Sequence, residues 1–511
     1  MENLLTQKHL DRKIFFYLLI ITFTIFIFTS SAHRFASDDF LAYDQAERIF
    51  SQTPIENFVA GETKPGLQGF GFTKISYPPC QNAILCSAAP IGYSSSFIPF
   101  IAIENSFNLI PNYEFTESDF DDPHYVFWRN SLSNEETFSF LIYGPLFSAL
   151  SVSVLFLLTR LFGFDTKIGV SVSLLYAFST IVFAYSSTGL NVVPGTFVIL
   201  LAFYFYKKFD LQNKTTDIIF CGTAMGFSLL LRNDFLIFSV FLSVFLLYVI
   251  LKRNQKLKNL LALFIPILIC IIIIAQTNLI EFGSPFLSEY TTEHGIDIIS
   301  SNFPIYEGIF GLLFSPGAGM FIFSPILFLI FISLFDFYKI DKQSTILILS
   351  FMVTIIFFYG SLSTWHGFVS WGDRYLLQIT PFLLLTLSAS LLKREKKSFY
   401  ILIFSLASIG FFFNLMWQIQ DVSWFVWGPF GGNTGLFSLG IAGMHHLNLN
   451  PLVFWTFEHS QLTQSIMLFF NNLQPDLYLF KILGVLPSAI ILIAVLTFMG
   501  IKLKSLIKTT I

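Results

Sequence analysis

The chain has 511 residues, of which 54% are hydrophobic and 12% are charged, and its mean hydropathy is +0.69. Soluble globular proteins carry about a quarter of charged residues, so this composition excludes that class and indicates a polytopic membrane protein. The formal net charge of −3 gives no indication of nucleic-acid binding.

The first hydrophobic segment runs from Ile14 to Ser31. Its length is about that of one membrane crossing, and no small-residue cleavage site stands before the polar residues that follow. We therefore expect a retained membrane helix and not a cleaved signal peptide. Residues 1–13, which contain Lys8, Arg12 and Lys13, then form a cytoplasmic N-terminus.

Two adjacent carboxylates, Asp38 and Asp39, follow this span closely enough to lie near the lipid head groups. The stretch from Asp39 to Phe50 has an amphipathic pattern. Its apolar face holds Phe40, Tyr43, Ala46 and Phe50, and its polar face holds Asp44, Glu47 and Arg48. This pattern predicts a helix that lies flat in the membrane interface and holds the acidic pair at a fixed depth. Alternatively, one of the two carboxylates only caps that helix.

Further hydrophobic segments predict about 12 membrane spans in all, at roughly 20 residues each. They are Phe138–Phe162, Ile168–Tyr185, Leu190–Tyr206, Ile218–Leu231, Phe235–Leu251, Leu260–Gln276, Ile309–Phe335, Thr345–Gly360, Tyr375–Leu392, Phe399–Met416 and Leu479–Ile501.

Basic residues fall in alternate short loops, which predicts that both termini are cytoplasmic. The acidic pair and two long segments, 32–137 and 417–478, are then extracytoplasmic. We expect a core over residues 14–416, the second outer segment over 417–478, and a last helix with a basic tail over 479–511. Loops of this length are usually functional.

Four cysteines are present, and only Cys80 and Cys86 lie outside the predicted spans. In an oxidising compartment they are compatible with a disulfide, but their spacing is equally compatible with free thiols. Cys221 and Cys270 fit buried packing positions.

Two arginines break the alternation of charge at the outer ends of spans. Arg374 lies in the stretch His366-Gly-Phe-Val-Ser-Trp-Gly-Asp-Arg-Tyr-Leu, and Arg232 lies in a tight turn. A guanidinium can hold a phosphate through two parallel hydrogen bonds. The alternative is a salt bridge with a neighbouring carboxylate, Asp373 for Arg374 and Asp234 for Arg232.

Weaker candidates lie in the outer loops. Glu289, Glu293 and His294 are placed where they can touch a sugar. Other acidic residues and histidines lack the spacing of a metal site, and we interpret them as solvated loop residues. These are Glu117, Asp119, Asp121, Asp122, His124, His445, His446 and His459.

Several short motifs together resemble the GT-C glycosyltransferases, in particular the protein O-mannosyltransferase and aminoarabinose transferase branch. That branch begins with a helix, an acidic pair and a horizontal helix; here the pair is Asp38-Asp39 in place of Asp-Glu. Many members carry Trp-Gly-x-Arg-Tyr-Leu and then a proline, as Trp371–Leu376 and Pro381 do. The stretches Phe282–Phe286 and Gly311–Gly319 are similar to the same set, and their Gly and Pro residues predict irregular backbone lining a cavity.

The resemblance implies an all-α polytopic membrane fold, a GT-C-like bundle with interfacial helices in its long first outer loop. It also implies transfer of a sugar from a polyprenyl-phosphate carrier to a glycan, lipid or protein acceptor. Nucleotide sugars stay in the cytoplasm, so a transferase that acts on the outer side needs a lipid-linked donor. In agreement with this, the sequence contains no Walker or Rossmann motif for binding a nucleotide. A multi-span transporter or lipid flippase, or a catalytically inactive assembly protein, is the alternative.

The implied roles fall on six residues. Asp38 is the base and Asp39 orients the acceptor or shares a divalent cation, in an inverting displacement. Arg374, followed by Arg232, holds the phosphate, and His366 and Glu289 contact the substrate. Asp38 and Arg374 must then lie close together without a direct salt bridge, on the order of 6–12 Å apart, so that a sugar phosphate fits between them.

Overall fold

The protein is described by a computed structural model. It covers residues 2–33, 37–55, 60, 64–65, 76–77, 80–107, 137–288, 303–367, 370–420, 451–471 and 475–508. Within these ranges the chain folds into a bundle of α-helices, and a short antiparallel sheet pairs β1 (Lys64–Pro65) with β2 (Ser76–Tyr77). The predicted all-α fold class is therefore confirmed.

The first half of the described bundle contains helices that vary from single turns to full membrane length. They are α1 (Glu2–Phe28), α2 (Ser37–Ser51), α3 (Ile91–Ser95), α4 (Ile98–Phe107), α5 (Phe138–Leu161), α6 (Thr166–Ser179), α7 (Val182–Tyr185), α8 (Val192–Gln212), α9 (Thr215–Leu231), α10 (Phe235–Leu251) and α11 (Lys256–Phe282).

The second half is more broken and includes two 3₁₀ helices, Pro325–Leu329 and Arg374–Ile379. Its α-helices are α12 (Ile305–Phe314), α13 (Met320–Phe323), α14 (Ile330–Tyr338), α15 (Lys342–Gly360), α16 (Thr380–Lys393), α17 (Lys397–Ile419), α18 (Pro451–Trp455), α19 (Gln461–Asn471), α20 (Tyr478–Leu483) and α21 (Val485–Lys508).

Seven helical segments of the described chain are long and apolar enough to cross a membrane. They are Phe138–Leu161, Val192–Gln212, Lys256–Phe282, Lys342–Gly360, Arg374–Lys393, Lys397–Ile419 and Val485–Ile507. The protein is thus an integral membrane protein, and the total of about 12 spans stays a prediction. Arg374–Lys393 is mostly buried at the centre, whereas Lys256–Phe282 and Val485–Ile507 expose most of their apolar surface, as lipid-facing helices do.

The segment Ile309–Phe335, which we predicted as one continuous span, is broken into several short helices. Proline cannot continue a helix hydrogen-bond ladder, and Pro316 and Pro325 stand at the breaks. At Gly317 an added Cβ would lie 2.3 Å from the carbonyl oxygen of Val453, so only glycine allows this close approach. The irregular backbone predicted from the Gly311–Gly319 stretch is confirmed.

Ion pairs link the loops that we predicted to share the cytoplasmic side. Arg160 binds Asp11 at 2.9 Å, and Lys207 binds Asp341 at 2.5 Å. These partners are far apart in sequence, so the pairs bring the basic loops to one end of the bundle. The membrane face at which that end lies stays a prediction.

The helix α2 begins two residues before the predicted start, and more of its surface is buried than we expect for a helix that lies flat in the membrane interface. Tyr43 and Ala46 are buried as predicted, but Arg48, assigned to the polar face, is also buried, and Phe50 is exposed. The difference arises because residues 80–107 fold over α2 and bring α3 and α4 against it. A local amphipathic pattern does not show such a cover.

Candidate active site at one end of the bundle

Arg374 stands at the start of the 3₁₀ helix that leads into the buried α16. Asp373 caps this helix, since its Oδ1 accepts a hydrogen bond of 2.8 Å from the backbone N–H of Tyr375. Gly367 has a positive φ of 69°, and an added Cβ would lie 3.1 Å from Cγ of Arg374. The loop before Arg374 therefore folds closely onto its side chain, which is only 12% exposed.

Asp38 and Arg374 meet directly, although 336 positions separate them in the sequence. Nη1 of Arg374 donates to Oδ2 of Asp38 at 3.1 Å, and the Asp38 side chain is 49% exposed. The prediction that the two lie close together is confirmed, but the predicted gap of about 6–12 Å is wrong. A largely buried guanidinium requires a counter-charge, and Asp38, in the first turn of α2, supplies it.

Asp39 is fully buried and takes a different direction from Asp38, as consecutive residues of a helix do. It lies against Gly189, where an added Cβ would come 3.1 Å from the Asp39 Cβ. The hydroxyl of Tyr93 donates to the Gly189 carbonyl at 2.9 Å. Burial first, and then the nearby charge of Asp39, raise the pKa of Tyr93 well above its usual value. Tyr93 therefore stays a protonated donor beside the acidic pair.

Around the acidic pair, the described residues do not provide a ligand set for a divalent cation. In the described ranges, no group of three or more His, Cys, Asp or Glu side chains is gathered as a metal site requires. The Arg374 guanidinium also lies against Asp38, where its charge disfavours a second cation.

Arg232 forms the salt bridge with Asp234 that we gave as the alternative to phosphate binding. Its Nε donates to Asp234 Oδ1 at 2.8 Å and its Nη2 to Oδ2 at 3.3 Å. Further bonds run to Asn191 Oδ1 at 3.2 Å and to the Tyr359 hydroxyl at 2.9 Å. Burial alone would raise the pKa of Asp234, but the Arg232 charge and the hydrogen bonds that Asp234 accepts from Arg232, Tyr359 and Gln378 hold it below its usual value.

The Arg232 network reaches Arg374 through aromatic rings. The ring of Tyr359 stacks on Tyr375 with centroids 4.0 Å apart. The guanidinium carbons of Arg374 and Arg232 lie 5.5 Å and 6.0 Å from the Tyr375 centroid, at cation–π distance. Tyr359 was not anticipated from the sequence, because an isolated tyrosine at the end of an apolar helix carries no signal of its partners.

His366 is buried near Arg374 and stacks on Phe454 with ring centroids 4.3 Å apart. Burial, and then the Arg374 charge, lower its pKa from 6.5 to about 3, so the imidazole is neutral at physiological pH. Glu289, the other predicted substrate contact, lies outside the described residues. The same holds for Glu293 and His294, and for Glu117, Asp119, Asp121, Asp122, His124, His445 and His446.

No protein-family profile and no curated protein matches the chain. Among solved structures, it is similar to ArnT from Cupriavidus metallidurans bound to undecaprenyl phosphate, with 10% identity and a TM-score of 0.45 over 76% of this chain and 61% of that one. It is also similar to ArnT from the same organism in the apo state, with 12% identity and a TM-score of 0.39 over 76% of this chain and 60% of that one.

ArnT is a GT-C aminoarabinose transferase, which is the fold class that the motifs of this chain resemble. The chain spans about 61% of the length of that protein. Because the identities are near 10% and the TM-scores are below 0.5, the likeness does not extend to activity, substrate or site residues.

Proposed function

We propose that the protein is an integral membrane glycosyltransferase that moves a sugar from a polyprenyl-phosphate carrier to an extracytoplasmic acceptor. The observation that supports this most is the contact between Asp38 and Arg374, two charged groups from distant parts of the chain. A base and a phosphate-binding cation at one site are what such a transfer requires. The acceptor is a hydroxyl of a glycan, a lipid or a protein.

In the proposed reaction, Arg374 binds the carrier phosphate and Asp38 accepts the proton of the acceptor hydroxyl. The acceptor oxygen forms a bond to the anomeric carbon of the sugar while the bond from that carbon to the phosphate oxygen breaks. The electron pair leaves with the lipid phosphate, whose negative charge Arg374 stabilises. Attack from the opposite face inverts the anomeric centre. Asp39, buried behind the pair, orients the helix turn from which Asp38 approaches the acceptor.

The closed Asp38–Arg374 pair must exchange partners when the donor binds. An ion pair with a half-exposed partner contributes about 0–1 kcal/mol. Hydrogen bonds from a guanidinium to a charged phosphate contribute about 1.5–3 kcal/mol each and form in pairs. The phosphate therefore wins the competition for Arg374. Since Asp38 is 49% exposed and Arg374 only 12%, we expect the carboxylate to move and the guanidinium to stay.

Arg232, His366 and Glu289 keep supporting roles in this proposal. Among the described residues, Arg232 already donates hydrogen bonds to Asp234, Asn191 and Tyr359. We therefore expect it to act on the phosphate through its positive charge and not through a direct hydrogen bond. His366 and Glu289 are our candidates for contacts with the sugar.

Sugar transfer by the purified protein in lipid vesicles tests the proposal. A panel of polyprenyl-phosphate sugars is supplied, and release of polyprenyl phosphate and glycosylation of an added acceptor are measured. We expect transfer with at least one donor and its loss in Asp38→Asn at intact expression. Glu47→Gln removes the same charge from an exposed position on the same helix and is the matched control. Movement of intact carrier across the bilayer without transfer would instead identify a flippase.

We also propose that the site faces the extracytoplasmic side of the plasma membrane. The basic loops at the opposite end of the bundle support this orientation. A membrane-impermeant thiol reagent applied to intact cells should label a cysteine placed at the exposed Ser51 and not one placed at Lys256. The reverse labelling would invert the topology.

A further inference from the structure

Cys80 and Cys86 form a disulfide, and the loop that it closes, residues 80–86, is called here the disulfide loop. Its carbonyl groups converge on a single buried arginine of α2. Nη1 of Arg48 donates to Ile84 O at 2.8 Å and to Ala83 O at 3.2 Å, and Nη2 donates to Cys86 O at 2.7 Å. The Arg48 side chain is only 8% exposed.

Two further contacts join the same loop region to α2. The side-chain amide of Gln45 donates to the carbonyl of Leu85. The hydroxyl of Ser87, just after the loop, donates to the carbonyl of Leu41 at 3.2 Å. Together with the Arg48 contacts, these bonds hold α2 from its second turn to its last.

The opposite side of the disulfide loop is fixed to the end of the membrane helix α11. The Gln81 N–H donates to the carbonyl of Glu281 at 2.6 Å, and the Ser87 N–H donates to the Glu281 carboxylate at 2.8 Å. Both cysteines pack on Phe282. The loop therefore links α2, which carries the acidic pair, to a long helix of the bundle.

The loop conformation determines whether its carbonyl groups converge on Arg48. Within it, Oδ1 of Asn82 accepts from the backbone N–H groups of Ile84 and Leu85 at 2.9 Å and 3.1 Å. The disulfide closes the loop and removes conformations in which the carbonyls point apart. Without the disulfide, the carbonyl acceptors of the buried Arg48 guanidinium are no longer held in place. Loss of hydrogen-bond acceptors destabilises a buried charge.

We propose that the disulfide loop is a clamp that positions Asp38, with Arg48 as the positioning residue. This rests on the proposed function, because it assigns the clamp to the placement of the proposed base. Ten residues of continuous helix, about 15 Å, separate Arg48 from Asp38, so a shift where the clamp holds α2 is carried to its first turn. A misplacement of about 1 Å at a reacting group can cost about a hundredfold in rate.

Hydrogen exchange tests the clamp without any knowledge of the substrate. Exchange is measured by mass spectrometry on the full chain in lipid nanodiscs, comparing wild type with Cys80→Ser/Cys86→Ser. We expect amides of residues 41–51 to exchange at least about tenfold faster in the variant, while those of α16 stay unchanged. Equal exchange over residues 41–51 would overturn the clamp. If the double serine variant does not fold, Arg48→Gln serves in its place, with Arg253→Gln at the other end of the bundle as control.

A double-mutant cycle tests the link to Asp38. In the wild-type background, Arg48→Gln should lower kcat about 10- to 100-fold with KM for the donor within about twofold, and Arg48→Lys should restore part of the rate. In the Asp38→Asn background, Arg48→Gln should lower kcat by no more than about twofold. Equal losses in both backgrounds would show a general structural role and reject positioning through Asp38.

The two proposals fail in distinguishable ways. If the wild-type protein transfers no sugar but residues 41–51 exchange faster without the disulfide, the clamp holds and the glycosyltransferase function is rejected. If transfer occurs and loss of the disulfide changes neither exchange nor kcat, the function stands and the clamp is rejected.

Discussion

The closed pair of Asp38 and Arg374 makes an unusual prediction for Asp38→Asn. If the carboxylate competes with the carrier phosphate for the guanidinium, its neutralisation should tighten carrier binding while it strongly lowers turnover. A variant that only damages the site would weaken both. The substitution preserves shape and retains a hydrogen-bond acceptor, so its main effect is on charge.

The magnitude follows from the exposure of the pair. Asp38 is 49% exposed, so solvent screens the interaction and the pair contributes about 0.2–1 kcal/mol. Without the carboxylate competing for Arg374, Kd for the carrier phosphate should fall by up to about fivefold, because a free-energy difference of 1.4 kcal/mol corresponds to about a tenfold change in Kd. Loss of a general base should lower kcat by about 10²–10⁴-fold.

Binding of polyprenyl phosphate to the purified protein in nanodiscs measures the first effect, and turnover of a polyprenyl-phosphate sugar measures the second. Glu47→Gln, which removes one negative charge about 13 Å further along α2, controls for the change in net charge. Carrier binding that is weaker in Asp38→Asn than in wild type, or turnover within about twofold of wild type, would refute the competition between carboxylate and phosphate.

Three further outcomes are expected. Arg374→Ala should lower kcat/KM about 10- to 100-fold through loss of about 1.5–3 kcal/mol of phosphate binding in a folded protein; unchanged kinetics would remove Arg374 from the site. Asp234→Asn should lower the free energy of unfolding by about 3–5 kcal/mol, measured by denaturant titration, because Arg232 loses its counter-charge; a change below about 1 kcal/mol would contradict this. His366 has a pKa of about 3 when folded and 6.5 when unfolded, so the unfolded state binds more protons between these values. Stability should therefore fall as the pH decreases from about 6.5 towards 3, and thermal unfolding of His366→Phe should show a flatter dependence.

The sequence by itself determined the fold class of the protein and selected Asp38 and Arg374 as candidate site residues. Hydropathy and charge identify helices and loops because both act through neighbouring residues, and the described helices follow most of the predicted spans. The Gly and Pro residues of Gly311–Gly319 predicted the broken backbone for the same local reason. Asp38 and Arg374 were selected together because both stand at the outer ends of predicted spans.

Only the tertiary structure decided which side chains meet. The direct contact of Asp38 with Arg374 in place of a gap, and the burial of Arg48 beneath the disulfide loop, depend on segments that are distant in sequence. The stacking of Tyr359 on Tyr375 is of the same kind. The helical periodicity of a sequence indicates which residues share one face of a helix. Which segment contacts that face depends on packing and on the counter-charges and hydrogen-bond acceptors that buried charges require. For this reason the spacing of Cys80 and Cys86 left their pairing open, whereas the folded loop joins them.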